Sequence, residues 1–231
     1  MTRFCAALCA LALAAASAAA QVVGYKPGDS PYLNVPGSQS LGFFAGGFDT
    51  GRDPAGVGPQ PGWLAGVRYD LRIGGPMTLV ARLAGAPTTR RILNPANPAA
   101  TRHVGDESSQ LMLADLGLAM NLTGQKSFHR LVPVLSGGVG VVSDFRGTPD
   151  KGGYRFGTRF ALNWGLGVQY HTDGRWQPRF DFSNSLWKLQ YPPDYGISPS
   201  DGSSPVVKDA KKSPWMGNHL WSVGLSYQLF R

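Results

Sequence analysis

The chain has 231 residues with 31 Gly, 18 Pro and 11% aromatic residues but only 16% charged ones, a composition of one turn-rich β domain. Its two cysteines, Cys5 and Cys9, both lie in a segment expected to be removed, which excludes a disulfide framework, a cysteine-bound metal and a thiol nucleophile from the mature chain. The formal charge of +8 is moderate; for an exported chain it favours anionic surfaces over nucleic acid.

Residues 1–20 read as a cleaved secretory signal. "MTRF" supplies a positive charge, "CAALCALALAAASAAA" is a small-apolar run, and Ala18-Ala19-Ala20 fits an A-x-A cleavage site. The run is too short and Ala-rich for a spanning helix, and the polar "GYKPGDSPY" follows it. A lipoprotein is disfavoured because Cys5 and Cys9 come too early and Leu8 is too large to precede a lipidated cysteine. Loss of Arg3 takes the 22 Lys and Arg to 21 against 14 Asp and Glu, a formal +7. Residues 21–39, rich in Gly, Pro, Ser and Asn, have no period and read as an extended periplasmic arm.

From residue 40 to 231 the chain alternates between two faces. Strand-like segments fall at about 41–50, 62–74, 76–84, 109–122, 130–143, 155–171, 178–188 and 218–230. In the second, Trp63, Ala65, Val67, Tyr69, Leu71 and Ile73 oppose Leu64, Gly66, Arg68, Asp70 and Arg72. In the sixth, Phe156, Phe160, Leu162, Trp164, Leu166, Val168 and Tyr170 oppose Gly157, Arg159, Ala161, Asn163, Gly165, Gly167 and Gln169, with Thr158 interrupting the oily face. The last puts Trp221, Val223, Leu225, Tyr227 and Leu229 against Ser222, Gly224, Ser226 and Gln228. Soluble strands average about 5–6 residues, whereas a tilted strand crossing a bilayer needs about 9–11, so the lengths favour a membrane.

The connections alternate as well. Those after the first, third, fifth and seventh strands are long, including "GAPTTRRILNPANPAATRHVGDESS" and "QYPPDYGISPSDGSSPVVKDAKKSPWMGN"; "IGGP", "LTGQKSFH" and "HTDGRW" are short. Short periplasmic turns and long extracellular loops are the pattern of outer-membrane barrels. The prediction is an all-β, up-and-down antiparallel transmembrane barrel of eight strands, or ten if the long second and fourth loops each hide a hairpin.

Signal, eight amphipathic strands, alternating loop lengths and an alternating final strand together resemble the small outer-membrane barrels of the OmpA and OmpX type, over residues 40–231. The resemblance implies the outer membrane of a Gram-negative-type bacterium. Its implied partners are outer-membrane lipid, lipopolysaccharide and the barrel-assembly machinery, with no nucleic acid and a monomeric state. One position departs from it: the family usually ends on a lipid-facing aromatic, whereas here Phe230 is penultimate and Arg231 is last.

An eight-stranded interior is wide enough only for side chains or one small ligand. The inward set Arg68, Asp70, Arg72, Arg82, Asp115, Arg159, Asn163, Gln169, Arg179 and Asp181 is expected to form a polar network of ion pairs, because buried charges persist only when paired. Trp63, Tyr170, Trp187, Trp221 and Tyr227 are expected at the interfacial girdles. Arg90, Arg91 and Arg102 in the second long loop, with Lys208, Lys211 and Lys212 in the fourth, are candidate anion-binding groups for lipopolysaccharide phosphates or other polyanions. The fourth loop, residues 193–215, reads as an exposed segment that the barrel does not need.

Catalytic groups are expected to be absent. His219 and Ser222, three apart on a strand, fall on opposite faces; Ser127 and His129 share a face at a periplasmic turn; His171 flanks a turn; and His103 with Asp106 and Glu107 is read as solvated rather than metal-binding. No cofactor motif is present. The expected role is structural or surface-interacting, the alternatives being a lipid A-modifying enzyme and a narrow channel or carrier of small apolar ligands.

Overall fold

The structure, a computed structural model, describes residues 30–35, 37–51, 53–145, 149–208 and 213–230; the expected signal, Lys211, Lys212 and Arg231 lie outside them. Among the described residues ten strands follow in chain order: β1 (Tyr32–Asn34), β2 (Gln39–Asp49), β3 (Gly62–Gly74), β4 (Met77–Leu93), β5 (His103–Asn121), β6 (Lys126–Phe128), β7 (Leu131–Ser143), β8 (Thr158–Tyr170), β9 (Trp176–Lys188) and β10 (Trp215–Phe230). All pairings are antiparallel. Eight strands form a closed ring, since β7 pairs with both β5 and β8, and β10 pairs with both β9 and β2. The closing ladder runs from His219↔Asp49 to Phe230↔Gln39. β1 and β6 stand outside the ring as a three-residue ribbon at its short-turn end, attached to β7 through Phe128↔Leu131. The barrel is therefore eight-stranded, and among the described residues the long loops add no further strand to the ring.

The alternating faces take the expected sides. Val67, Leu83, Leu116, Leu118, Val139, Phe160, Leu166, Val168, Phe180, Val223 and Leu225 are all exposed, although they are large and apolar. A belt of this kind is costly in water and at home in hydrocarbon. No described helix is long and apolar enough to cross a membrane.

Three elements differ most from their predicted extent. β4 and β5 run well past 84 and 109 and stay paired up to Leu93↔His103, so residues 85–93 and 103–108 form a raised hairpin and only 94–102 are a loop. Above the belt neither face meets lipid, and the alternation that marks a spanning strand disappears from the sequence. Pro87 lies beyond the last β3–β4 rung, Ala65↔Gly85, where one side of the strand has no ladder to interrupt. β8 begins at Thr158, because Gly157 takes φ +67° and turns the chain so that Phe156, predicted to face lipid, points inward and is buried.

Inside, the lumen is layered. At the long-loop end lies a hydrophobic core of Phe48, Leu64, Leu111, Leu113, Phe156, Trp187 and Leu220, joined by the loop residues Val57, Tyr154, Leu189, Tyr191 and Tyr195. At the short-turn end Val35 of the N-terminal arm packs with Val80, Ala119, Val132 and Val134. Charged side chains occupy the space between. Trp187, expected at a girdle, is only 1% exposed and stacks on Phe48 with ring centroids 6.0 Å apart. Trp63, Tyr170 and Trp221 are exposed as expected, and Tyr227 packs edge-on against Trp176.

Val168→Asp should lower the yield of folded barrel in lipid vesicles well below that of Val168→Ala, because a carboxylate in hydrocarbon is costly. Gly167→Ala should also impair folding: a Cβ there would lie 2.3 Å from Asp181 Oδ1. Cold-gel mobility and protease protection after refolding read both effects, and equal yields for Val168→Asp and Val168→Ala would place that face away from lipid.

Candidate functional site

The middle of the lumen is built by strand geometry. Arg68 and Asp70 are two apart on β3, hence on one face, and Arg68 Nε donates to Asp70 Oδ1 and Oδ2 at 2.9 Å each. β9 repeats the device: Arg179 Nε and Nη2 donate to the two oxygens of Asp181 at 2.5 and 2.8 Å. Arg82 and Asp115 are direct cross-strand partners on β4 and β5, with Arg82 Nη2 3.1 Å from Asp115 Oδ2. Asn163, from β8, donates to Asp115 Oδ1 at 2.6 Å over the intervening strand β7. Gly140 makes this possible, since a Cβ there would lie 2.2 Å from Asp115 Oδ1. The three ion pairs are mostly buried and charge-assisted, so the lumen is crossed by a rigid polar layer.

Arg72 and Arg159 do not join it. Arg72, at the short-turn rim, donates from Nη1 to the carbonyl of Val35 at 3.0 Å and so ties down the N-terminal arm. Arg159 sits near the upper rim because β8 starts only one residue earlier; it donates to Gln190 Oε1 at 2.6 Å and to the carbonyl of Arg155 at 3.3 Å. Gln169 lines a cavity of about 50 Å³ between the arm and the ion pairs, and a second cavity, beside Arg82, Asp115 and Asn163, holds about 20 Å³. Each has room for one or two waters.

The long loops close the other end as a folded cap. Asp53 accepts from the backbone N–H of Ala55 and Gly58 and from Tyr191 Oη at 2.5 Å, which links the β2–β3 loop to the β9–β10 loop. Asp150 accepts from the N–H of Gly152 and Tyr154 and from Tyr195 Oη, so the β7–β8 loop joins the same cluster. Tyr154, Tyr191 and Tyr195 pack with centroids about 6 Å apart. Burial pushes all three phenols well above the usual tyrosine value, and the neighbouring Asp53 and Asp150 add to the shift. The fourth loop is thus not the wholly exposed segment expected: Tyr195 is fully buried and Val206 and Val207 pack on the core.

The loop cations divide. Arg90 is 1% exposed and lies on β4, where Nη2 pairs with Glu107 at 2.7 Å, so it is a structural group of the hairpin and not a loop cation on the surface. Arg91 and Lys208 are exposed. Arg102 donates from Nη2 to the carbonyl of Ser204 at 2.7 Å and brings the second and fourth loops together.

None of the catalytic combinations assembles. Ser127 is buried and its hydroxyl donates to the carbonyl of Leu33 in β1, while the His129 ring packs edge-on against Phe128. His219 lies on the outer face beside Asn184, with Nδ1 3.0 Å from Asn184 Nδ2, and Ser222 points to the lumen. His171 is buried in its turn, where desolvation, with Arg72 adding to it, pushes its pKa down to about 4. His103 pairs with Asp106 at 3.0 Å in the open, and among the described residues no three His, Cys, Asp or Glu cluster as metal ligands would.

No protein-family model and no curated protein sequence matches the chain. Among solved structures it is similar to Neisserial surface protein A, with a TM-score of 0.51 at 11% identity over 83% of this chain and 97% of that one. The fold is that of a small outer-membrane β-barrel. Pseudomonas aeruginosa OprG (TM-score 0.47, 12% identity, 88% and 100% covered) and the N-terminal domain of P. aeruginosa OprF (0.43, 13%, 83% and 100%) also align. The long loops and the β1–β6 ribbon lie at opposite ends of this barrel.

Asp115→Ala, which strands a buried guanidinium, should destabilise the barrel by about 3–5 kcal/mol, and Arg82→Leu combined with Asp115→Leu should recover much of that loss. Urea unfolding in vesicles, followed by tryptophan fluorescence, is the measurement; equal midpoints for Asp115→Ala and wild type would remove the ion-pair layer from the stability of the barrel. The cap makes a separate prediction at alkaline pH. Phenols whose folded pKa is raised stabilise the cap fully below their unfolded value of about 10, and that stability is lost as pH rises through the folded values. Absorbance at 295 nm should show Tyr154, Tyr191 and Tyr195 ionising later than the other tyrosines, and together with cleavage of the loops by added protease.

Proposed function

We propose that this chain is an exported outer-membrane barrel whose role is structural and surface-interacting, and that it neither conducts solutes nor modifies lipid A. The observation that carries this reading is the closed lumen. Ion pairs fill its middle, loop aromatics cap one end, Val35 and its neighbours close the other, and the cavities along the ion-pair layer hold about 50 and 20 Å³. A hexose cannot pass through such spaces. The pairs the sequence offers are engaged otherwise, since the Ser127 hydroxyl donates to the Leu33 carbonyl and His219 and Ser222 face opposite sides of the wall, an arrangement that suits a structural role better than acyl transfer. On the cell surface a rigid cap presents Arg91, Arg102 and Lys208, and cations in that position suit the phosphates of lipopolysaccharide. The signal over residues 1–20 would deliver the chain to this location, with assembly-machinery recognition and a monomeric barrel as the remaining parts of the proposal.

Vesicles loaded with sugar and bearing the refolded protein should not swell, and lipid A from cells with and without the gene should carry the same acyl chains. Arg91→Gln with Lys208→Gln should weaken retention on lipopolysaccharide-coated beads, most at low salt. Swelling would replace the structural role by transport, and a changed acyl pattern would replace it by catalysis.

A further inference from the structure

The ring is uneven at its outer rim. β5 pairs with β7 only as far as Met112↔Ser143, so above that rung β5 keeps β4 on one side and, among the described residues, has no strand on the other. A cavity of about 870 Å³ opens there, between the raised β4–β5 hairpin and the start of the β7–β8 loop. Its size lies within the usual range for ligand sites, about 300–1,000 Å³.

The lining has a definite chemistry. Asp144 is 4% exposed; its Oδ1 accepts from the N–H of Gly157, and its Oδ2 is buried without a hydrogen-bond partner. A buried carboxylate oxygen with no donor is costly, and a ligand that supplies one removes the cost. Beside it stand the hydroxyls of Ser108 and Ser109 and the amide of Gln110, groups that both donate and accept. Phe145, 78% exposed with φ +21°, offers an open aromatic face at the edge of the same cavity, in a backbone conformation that costs energy to hold. Glu107 also lines the cavity but is already neutralised by Arg90. A divalent cation would find too few ligands, and a purely apolar molecule would leave the carboxylate and hydroxyls unpaired.

We propose that this rim cavity binds a saccharide, with Asp144 Oδ2 accepting from a ring hydroxyl, the Ser108, Ser109 and Gln110 side chains completing the hydrogen bonds, and Phe145 packing on the apolar C–H face of a sugar ring. Its volume accommodates a short oligosaccharide. The site uses acceptor groups and an aromatic platform, so it is independent of the cationic surface proposed above. Its sugar can come from two sources: the core oligosaccharide of neighbouring lipopolysaccharide, or a free oligosaccharide from the medium.

The experiment is NMR titration of the refolded full-length mature chain in micelles with three probes: core oligosaccharide released from lipopolysaccharide by mild acid, maltotriose and chitotriose. Saturable shifts at Asp144, Phe145 and Ser108 with at least one probe are expected. The core oligosaccharide alone would assign the membrane as the source, and maltotriose or chitotriose would assign a free sugar. Asp144→Asn keeps Oδ1 for Gly157 and should weaken binding about tenfold, the worth of a hydrogen bond to a charged acceptor. Phe145→Ala removes only an exposed ring and should weaken it comparably, while Phe145→Trp should restore it. Should Asp144→Asn fail to fold, the Phe145 pair decides alone. No saturable shift with any of the three probes, or affinities unchanged in both Asp144→Asn and Phe145→Ala, would overturn the proposal.

Discussion

Every feature of this molecule depends on one constraint: in hydrocarbon, backbone N–H and C=O groups have no water to bond, and each must find a partner within the protein. The ladder between β10 and β2 meets it by joining the last strand to the first from His219↔Asp49 to Phe230↔Gln39, and so removes the sheet edge. Closure sets the rest. A ring of eight strands has an interior too narrow to be a channel and too large to be left empty, and alternate residues of every strand must fill it.

How it is filled follows from the inverted polarity of the barrel. The outer face takes the apolar residues, so the charged ones go inside, where they survive only in pairs. Strand periodicity supplies the pairs without further design: Arg68 with Asp70 and Arg179 with Asp181 are two residues apart and so share a face, and Arg82 with Asp115 are register partners. Gly140 and Gly167 leave the room that the carboxylates occupy. The layer that results is more rigid than a water-filled pore would be, and it separates two hydrophobic clusters that resemble the interiors of soluble domains.

The upper cluster shows how a small barrel supports ordered loops. Trp187, Phe48 and Phe156 continue the lumen upward as an apolar core, and loops dock on it through Tyr154, Tyr191 and Tyr195, with the β2–β3 and β7–β8 loops each organised by one aspartate that accepts two N–H groups. The cap leaves one irregular place, the rim where β5 rises beyond β7. A gap in the ladder is tolerated there because it lies above the apolar belt, where water and ligands can reach the edge.

The sequence by itself determined the barrel. A period of two carries both the lipid face and the lumen face, and it predicted closure and the eight strands; it places Arg68, Asp70, Arg82, Asp115, Asn163, Arg179 and Asp181 on the lumen side, while Arg72 and Arg159, of the same parity on their strands, bond instead to Val35 and to Gln190 and Arg155. Trp187 was legible as well: Arg179 and Asp181 point inward, and Trp187 shares their parity on β9, so the alternation outranks the preference of tryptophan for interfaces. What only the tertiary structure decided lies above the membrane. The raised hairpin, the inward turn of Phe156 at Gly157, the burial of Arg90 against Glu107, the Asp53–Tyr191 and Asp150–Tyr195 links and the cavity at Asp144 all join residues far apart in the chain. Lipid imposes its polarity on every second residue and so writes itself into local sequence. Contacts between loops are satisfied one pair at a time, through side chains whose partners no local period can specify.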